Sequence, residues 1–146
     1  ENITGIVGIG AGADWIAQKH RENSRYLYEL KDKLVSGIRD AFPDAVINGD
    51  PENGAPHILN VGFPGLRGEI LLHALEEKGV YVSTGSACSS REKKISHVLK
   101  ALGLDDRTAE GSIRISLSYL TTPEEIEAFL PILTRSVKKI GMFIRR

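Results

Sequence analysis

The residue of this chain best suited to nucleophilic chemistry is Cys88, its only cysteine. It lies in the run 83–90 (STGSACSS), among glycine and hydroxyl residues rather than the apolar neighbours of a buried cysteine. Such a composition is typical of a solvent-accessible loop, where a thiolate is a nucleophile and a free thiol is open to oxidation. The sequence around Cys88 is compatible with two interpretations: a reactive thiol, or a thiol that is idle or buried.

Arg114 is the second candidate. Residues 112–118 (SIRISLS) alternate between apolar and polar side chains, as in a strand with one buried face. This alternation predicts that Arg114 lies on the face opposite the core. A guanidinium held on a strand offers paired donors that match a carboxylate or a phosphate. The alternative is a solvated arginine on an open sheet face.

Other patterns carry less weight. Residues 8–13 (GIGAGA) fit a loose dinucleotide-loop motif, but the acidic residue expected ~20 positions later is missing. We therefore interpret these glycines as sites of close packing against another element. No metal site is expected, since the four histidines lack metal-ligand spacing with Cys88 or with each other; they are His20, His57, His73 and His97.

Composition narrows the function classes. The chain has 146 residues, and its 19 basic and 19 acidic side chains cancel without forming a basic stripe, which argues against nucleic acid as a partner. No apolar run reaches the ~20 residues of a membrane span, so no membrane association is expected. A single cysteine excludes an intrachain disulfide framework and fits a reducing, cytoplasmic setting. The first residue, Glu1, suggests a piece of a longer protein.

Periodicity and turn residues predict the elements that position these two side chains. Helices are expected before Pro43, over 69–78, over about 95–102, and from Pro123 onward. Strands are expected at 45–47, 57–63, 80–82 and 112–118. Helices enclosing a few short strands indicate an α/β or α+β two-layer fold, formed here by one domain.

Several motifs, taken in order, resemble the cysteine desulfurases, pyridoxal-phosphate enzymes of the class V aminotransferase group. The run 83–90 and the helix ending in 98–103 (VLKALG) are similar to the active-site loop of that family. The likeness continues in 48–50 (NGD), 54–61 (GAPHILNV), 112–117 (SIRISL) and 121–126 (TTPEEI). These matches correspond to the C-terminal portion of the family and cover nearly the whole chain.

The resemblance implies a role for each candidate residue. Cys88 would take sulfur from substrate cysteine as a persulfide and leave alanine, and Arg114 would bind the substrate carboxylate. The chain would be the small C-terminal domain of a fold-type I pyridoxal-phosphate enzyme, with a short mixed or antiparallel sheet packed against helices. Residues 1–42 would form its connecting helical segment.

The same resemblance implies what lies elsewhere. The cofactor lysine, which follows a histidine in the family, has no counterpart here, so the large cofactor-binding domain would be absent from this chain. We therefore expect no cofactor bound to the chain alone, and no desulfuration by it.

The resemblance also implies partners. These are L-cysteine and a sulfur acceptor such as an iron–sulfur scaffold, with tRNA thiolation as a further destination of the sulfur and a homodimeric parent enzyme. Two other interpretations stay open: a free-standing persulfide relay or thiol redox module, and a noncatalytic interaction domain.

Overall fold

The computed structural model describes residues 1–84 and 96–144, the last two of these by their backbone alone. This part of the chain contains five helices and three strands. In chain order they are α1 (Ile3–Ala41), β1 (Val46–Asn48), β2 (Ile58–Gly62), α2 (Gly68–Glu76), α3 (His97–Ala101), α4 (Asp106–Glu110), β3 (Ser112–Ser116) and α5 (Pro123–Ile144).

The three strands form one antiparallel sheet in the order β1-β2-β3. The β2–β3 register places Asn60 opposite Arg114 and Val61 opposite Ile113. The β1–β2 register places Asn48 opposite Asn60. Helices packed on a short antiparallel sheet confirm the α+β two-layer fold expected from the sequence.

The hydrophobic core lies between one face of this sheet and the helices α1, α2 and α5. The second half of α1 contributes Leu30, Leu34 and Ile38, all essentially buried, which confirms the helix face predicted from their spacing. The other apolar side chains with almost no exposure among the described residues are Leu59, Val61, Leu71, Leu75, Ile113 and Leu133. The helices thus cover one face of the sheet.

The first half of α1 differs from the second because its apolar side chains are exposed. Ile3, Ile6, Val7, Ile9 and Ile16 are all more than half exposed. A methyl group added at any of the glycines 8, 10 and 12 would meet no atom within 4 Å. The expectation that these glycines pack closely against another element is therefore wrong within the described residues.

Trp15, also in α1, packs against Tyr119, with the ring centroids 5.0 Å apart and the ring planes inclined at 51°. No helix in the described ranges is long and apolar enough to span a membrane.

The predicted helix ends are confirmed where local chemistry controls them. Gly79 and Gly103 follow α2 and α3 with φ of +75° and +77°, the left-handed conformation that glycine adopts without strain. At the start of α5, the Glu125 amide donates to Thr122 Oγ1 (3.3 Å), and the Thr122 amide donates to Glu125 Oε2 (2.9 Å). This reciprocal pair is the capping box predicted from the sequence.

Two elements differ from the prediction. Residues 80–82 do not form a strand; in the described part of this segment, 80–84, only Ser83 pairs with β3, and Tyr81 is 79% exposed. The short helix α4 was not expected. It begins because the carboxylate of Asp105 accepts from both the amide and the hydroxyl of Thr108 (3.0 and 2.7 Å).

Candidate functional site

Arg114 lies in the middle of β3 with its side chain on the open face of the sheet. Its neighbours in the strand, Ile113 and Ile115, are buried on the other face, which confirms the predicted orientation. Among the described residues, no carboxylate lies within 4 Å of its guanidinium. An external anion at this position would therefore meet no competing carboxylate from the described residues.

The backbone of Arg114 joins this strand to the segment that leads to the cysteine. The Arg114 amide donates to the Ser83 carbonyl (2.6 Å), and the Ser83 amide donates to the Arg114 carbonyl (3.0 Å). Thr84, the next residue, is buried. The chain thus enters the cysteine-containing segment directly beside Arg114.

Cys88 itself lies outside the described residues.

The histidines form no metal site in the described residues. His73 contacts Glu76 within α2, with 3.2 Å between Nδ1 and Oε2. No group of three or more possible metal ligands occurs in the parts of the chain that the structure covers.

A row of polar side chains crosses the open face beside Arg114. Asn48 Nδ2 donates to Asn60 Oδ1 (2.6 Å) and to Ser112 Oγ (3.0 Å). The Ser112 hydroxyl in turn donates to the Thr108 carbonyl (2.8 Å) in α4. Asn48 Oδ1 is buried and has no hydrogen-bond partner among the described atoms. Strand register and α4 together bring these residues to Arg114.

Sequence reasoning did not identify Asn48 or Asn60 as site residues. The available signal was weak: Asn60 is a polar residue on the strand face opposite the buried Leu59 and Val61. A turn-forming sequence also explained Asn48, since glycine and aspartate follow it. Only the register of three strands aligns the two amides with Arg114.

Gly62 lets α4 approach the sheet at the end of this row. A methyl group at position 62 would lie 2.7 Å from Thr108 Cγ2 and 3.0 Å from both Ser112 Oγ and the Thr108 carbonyl. The hydrogen bond from Thr108 to Asp105 is the main reason that the pKa of the Asp105 carboxyl lies below its usual value. The Asp105 cap and the close approach of Thr108 to Gly62 together place the Thr108 carbonyl within hydrogen-bonding distance of Ser112.

The loop between β1 and β2 is tied to α1 by two side chains. Tyr28 Oη donates to the Gly54 carbonyl (3.0 Å), and Lys31 Nζ donates to the Ala55 carbonyl (3.0 Å). Lys31 is 2% exposed, and its burial lowers the pKa of its ammonium group, against the opposing effects of the Asp50 and Asp32 carboxylates. These contacts hold the loop that sets the ends of β1 and β2.

Comparisons with known proteins agree with this description. The aminotransferase class-V family profile matches residues 1–129. The chain is 37% identical over 140 residues to cysteine desulfurase IscS of Methanosarcina thermophila, covering 96% of this chain and 34% of that protein. It is 38% identical over 127 residues to cysteine desulfurase NifS of Azotobacter vinelandii, covering 87% of this chain and 32% of that protein.

Solved structures give the same result. A NifS-like protein superposes with a TM-score of 0.81 at 35% identity, over 94% of this chain and 34% of that one. A NifS-like protein from Rickettsia africae superposes with a TM-score of 0.80 at 26% identity, over 94% and 35%. These matches confirm the predicted resemblance and the predicted fold.

The chain spans about a third of the length of the curated relatives it matches. Within that span the agreement extends over nearly every element described above, from α1 into α5. The sheet that carries Arg114, the helices that cover its other face and the segment that contains Cys88 all fall inside the matched region. This chain belongs to the class-V aminotransferase family.

Proposed function

We propose that this chain is the small domain of a cysteine desulfurase, an enzyme that converts L-cysteine to L-alanine. The observation that carries the proposal is the position of Arg114, whose guanidinium has no carboxylate partner among the described residues and whose backbone holds the start of the cysteine segment. Curated relatives named as cysteine desulfurases support it.

In this proposal Arg114 binds the carboxylate of L-cysteine. A planar guanidinium on a rigid strand suits a carboxylate because two parallel hydrogen bonds fix both its position and its orientation. Ser83 and Cys88 are five residues apart, so the covalent chain keeps their Cα atoms within ~18 Å of each other. In this proposal the thiol reaches the substrate within the length of that tether.

Cys88 accepts the sulfur. Its thiolate attacks the substrate sulfur, an S–S bond forms, and the substrate C–S bond breaks with its electron pair left on carbon. That carbon takes a proton and becomes the methyl group of alanine, while Cys88 becomes a persulfide. The two thiols supply every atom and electron of the products, so no external oxidant is needed.

The described residues do not by themselves form a pyridoxal-phosphate site. The buried lysine among them, Lys31, donates to the Ala55 carbonyl, and its surroundings lie at the β1–β2 loop rather than beside Arg114. No lysine in the sequence follows a histidine, as the resemblance requires, so we assign the cofactor lysine to a large domain outside these 146 residues, with residues 1–42 as the connecting segment. The exposed apolar side chains in the first half of α1 suit packing against such a domain.

The proposal extends to partners and location. Cys88 would pass its sulfur to an acceptor protein such as an iron–sulfur scaffold, or toward tRNA thiolation, in the cytoplasm. The parent enzyme would be a homodimer. A persulfide relay fed by another protein and a noncatalytic interaction domain are the alternative outcomes of the following test.

The first test reads the coding sequence upstream of Glu1 and assays the complete gene product. We expect a continuous frame that encodes a cofactor lysine after a histidine, and formation of alanine from L-cysteine with added pyridoxal phosphate. Mass spectrometry should find one extra sulfur on Cys88, and Cys88→Ser should abolish both signals. The 146-residue chain alone should form no alanine.

The outcomes separate the three functions. A start codon at or just before Glu1, with sulfur on Cys88 only when a donor protein is present, would replace the desulfurase proposal by a relay. If Cys88 carries no extra sulfur and Cys88→Ser binds its partners as well as the wild type does, the chain is a noncatalytic interaction domain. Arg114→Lys is the matched variant for the carboxylate site, because it keeps the charge but loses the paired donors.

A further inference from the structure

We propose that Asn60 is a second ligand for the carboxylate bound by Arg114, held with its amide N–H groups toward the substrate by Asn48 and Ser112. This inference deepens the proposed function and rests on Arg114 being the carboxylate site. The inference concerns the row of polar side chains formed by Asn48, Asn60 and Ser112. In this row, the strand register and the direction of the hydrogen bonds decide whether Asn60 presents a donor or an acceptor to the substrate.

Strand pairing brings Asn60 and Arg114 together. Both backbone hydrogen-bonding groups of Arg114 bond to Ser83 on one side of β3. In an antiparallel sheet, the N–H and C=O of one residue point to the same side. Arg114 and Asn60 are therefore a non-hydrogen-bonded pair, the kind in which facing side chains lie closest. The amide and the guanidinium share one small area of the open face.

The direction of the hydrogen bonds in the row is set from its buried end. The Thr108 carbonyl can only accept, so the single hydroxyl proton of Ser112 is used in the 2.8 Å bond to it. Ser112 Oγ must then accept from Asn48, which turns Asn48 Nδ2 toward Ser112 and Asn60. Asn60 consequently presents Oδ1 to Asn48, across a distance of 2.6 Å.

This arrangement leaves the Asn60 Nδ2 group for another acceptor. Within the described residues, the one side-chain hydrogen bond of Asn60 is the bond that its Oδ1 accepts from Asn48. Asn60 is half-buried, and Arg114 lies opposite it in the strand register. The amide N–H groups of Asn60 and the guanidinium N–H groups of Arg114 are both donors, and both face the same area of the open sheet face. An anion with two acceptor oxygens satisfies both, as a carboxylate does.

The unpartnered oxygen of Asn48 supports the same interpretation. Leaving a buried amide oxygen without a donor is unfavourable. Rotating the Asn48 amide would instead place its oxygen against the acceptor atoms Oδ1 of Asn60 and Oγ of Ser112, which is worse. The row thus keeps the Asn60 donors on the open face, while Asn48 Oδ1 has no donor among the described residues.

The main test uses the complete gene product and compares Asn60→Asp with Asn60→Ala. Aspartate is close in shape and still accepts from Asn48, but it offers no donor and carries a negative charge. We expect Asn60→Ala to raise KM for L-cysteine about tenfold with kcat within about twofold. Asn60→Asp should raise KM further, because its charge opposes the carboxylate. Ser116→Ala, on the same face and two residues along β3 from Arg114, is the control and should leave KM unchanged.

A competitor without a carboxylate makes the test specific. Cysteamine has the thiol and amine of cysteine only, so its inhibition constant should be the same in the wild type and in both Asn60 variants. If Asn60→Asp keeps the wild-type KM for L-cysteine, Asn60 acts only in the sheet and the proposal is wrong. An equal loss of cysteamine binding would also overturn it.

A measurement on the 146-residue chain separates this inference from the desulfurase proposal. Sodium acetate is titrated against the labelled chain, with sodium chloride of equal ionic strength as the reference. We expect acetate to shift both the Asn60 side-chain amide and the Arg114 Nε signals, and Arg114→Ala to remove both shifts. These shifts in a chain whose gene product forms no alanine would support the carboxylate site and refute the desulfurase function. A shift of Arg114 alone would overturn the role of Asn60.

Discussion

Replacing Gly62 by alanine tests whether the contact between α4 and the sheet is as close as the structure shows. Gly62 lies in β2, and its φ is not positive, so the backbone itself accepts alanine. The added methyl group, however, would lie 2.7 Å from Thr108 Cγ2 and 3.0 Å from Ser112 Oγ. Because real Cβ atoms almost never lie at the shorter distance from another heavy atom, the Thr108 side chain or α4 as a whole must shift away from the sheet.

The magnitude follows from three terms. Overpacking in a well-packed region costs about 1–3 kcal/mol. Weakening the buried hydrogen bond from Ser112 to the Thr108 carbonyl costs about 1 kcal/mol more. Alanine recovers about 0.5–1 kcal/mol relative to glycine, since it restricts the unfolded chain. The net effect on the free energy of unfolding is a loss of about 2 kcal/mol.

Urea unfolding followed by circular dichroism measures this loss. The matched control is Gly10→Ala, the same chemical change at an exposed helical position where the methyl group meets nothing within 4 Å. It should leave the stability unchanged or raise it by up to about 1 kcal/mol. Thr108→Ser removes Cγ2, the atom nearest to the added methyl group, but keeps the hydroxyl that donates a hydrogen bond to Asp105. The double variant Gly62→Ala/Thr108→Ser should therefore recover part of the loss.

Two results would refute the reasoning. If Gly62→Ala lowers the stability by less than about 0.5 kcal/mol, α4 is not held against the sheet as described. If Thr108→Ser recovers nothing, the loss does not come from the contact with Thr108.

Three further substitutions test other parts of the fold by urea unfolding. Thr122→Ala removes the capping box of α5 and should cost about 1 kcal/mol, whereas no measurable change would show that the box is not formed. Leu133→Ala truncates a side chain with 0% exposure and should cost about 2–5 kcal/mol; a value below this range would place α5 outside the core. Lys31 has a folded-state pKa below its unfolded value of 10.5, so its contribution to stability should become more favourable as pH rises from the folded pKa toward 10.5. Lys31→Met should abolish that rise, and an unchanged pH profile would contradict the assignment.

The sequence by itself determined the elements whose signals are local. Helix periodicity, the Thr122–Glu125 cap and the glycines at 79 and 103 act within one or two turns of chain, so each could be predicted from neighbouring residues. Strict alternation along 112–118 likewise predicted which face carries Arg114, because successive side chains of a strand point to opposite faces. The family resemblance was also predicted from motifs that are contiguous in the chain.

Tertiary structure decided what depends on residues far apart in sequence. Residues 80–82 have a strand-like composition, yet in the described part of that segment only Ser83 pairs with β3, because strand pairing depends on a partner strand that is distant in sequence. The glycines near the start of α1 were compatible with close packing or with exposure, and their pattern did not distinguish these. The alignment of Asn48, Asn60 and Arg114 needs the register of three strands, and the direction of their hydrogen bonds needs the Thr108 carbonyl from α4. A sequence specifies which groups can hydrogen-bond, but only the fold decides which of them meet and which donor is left for a ligand.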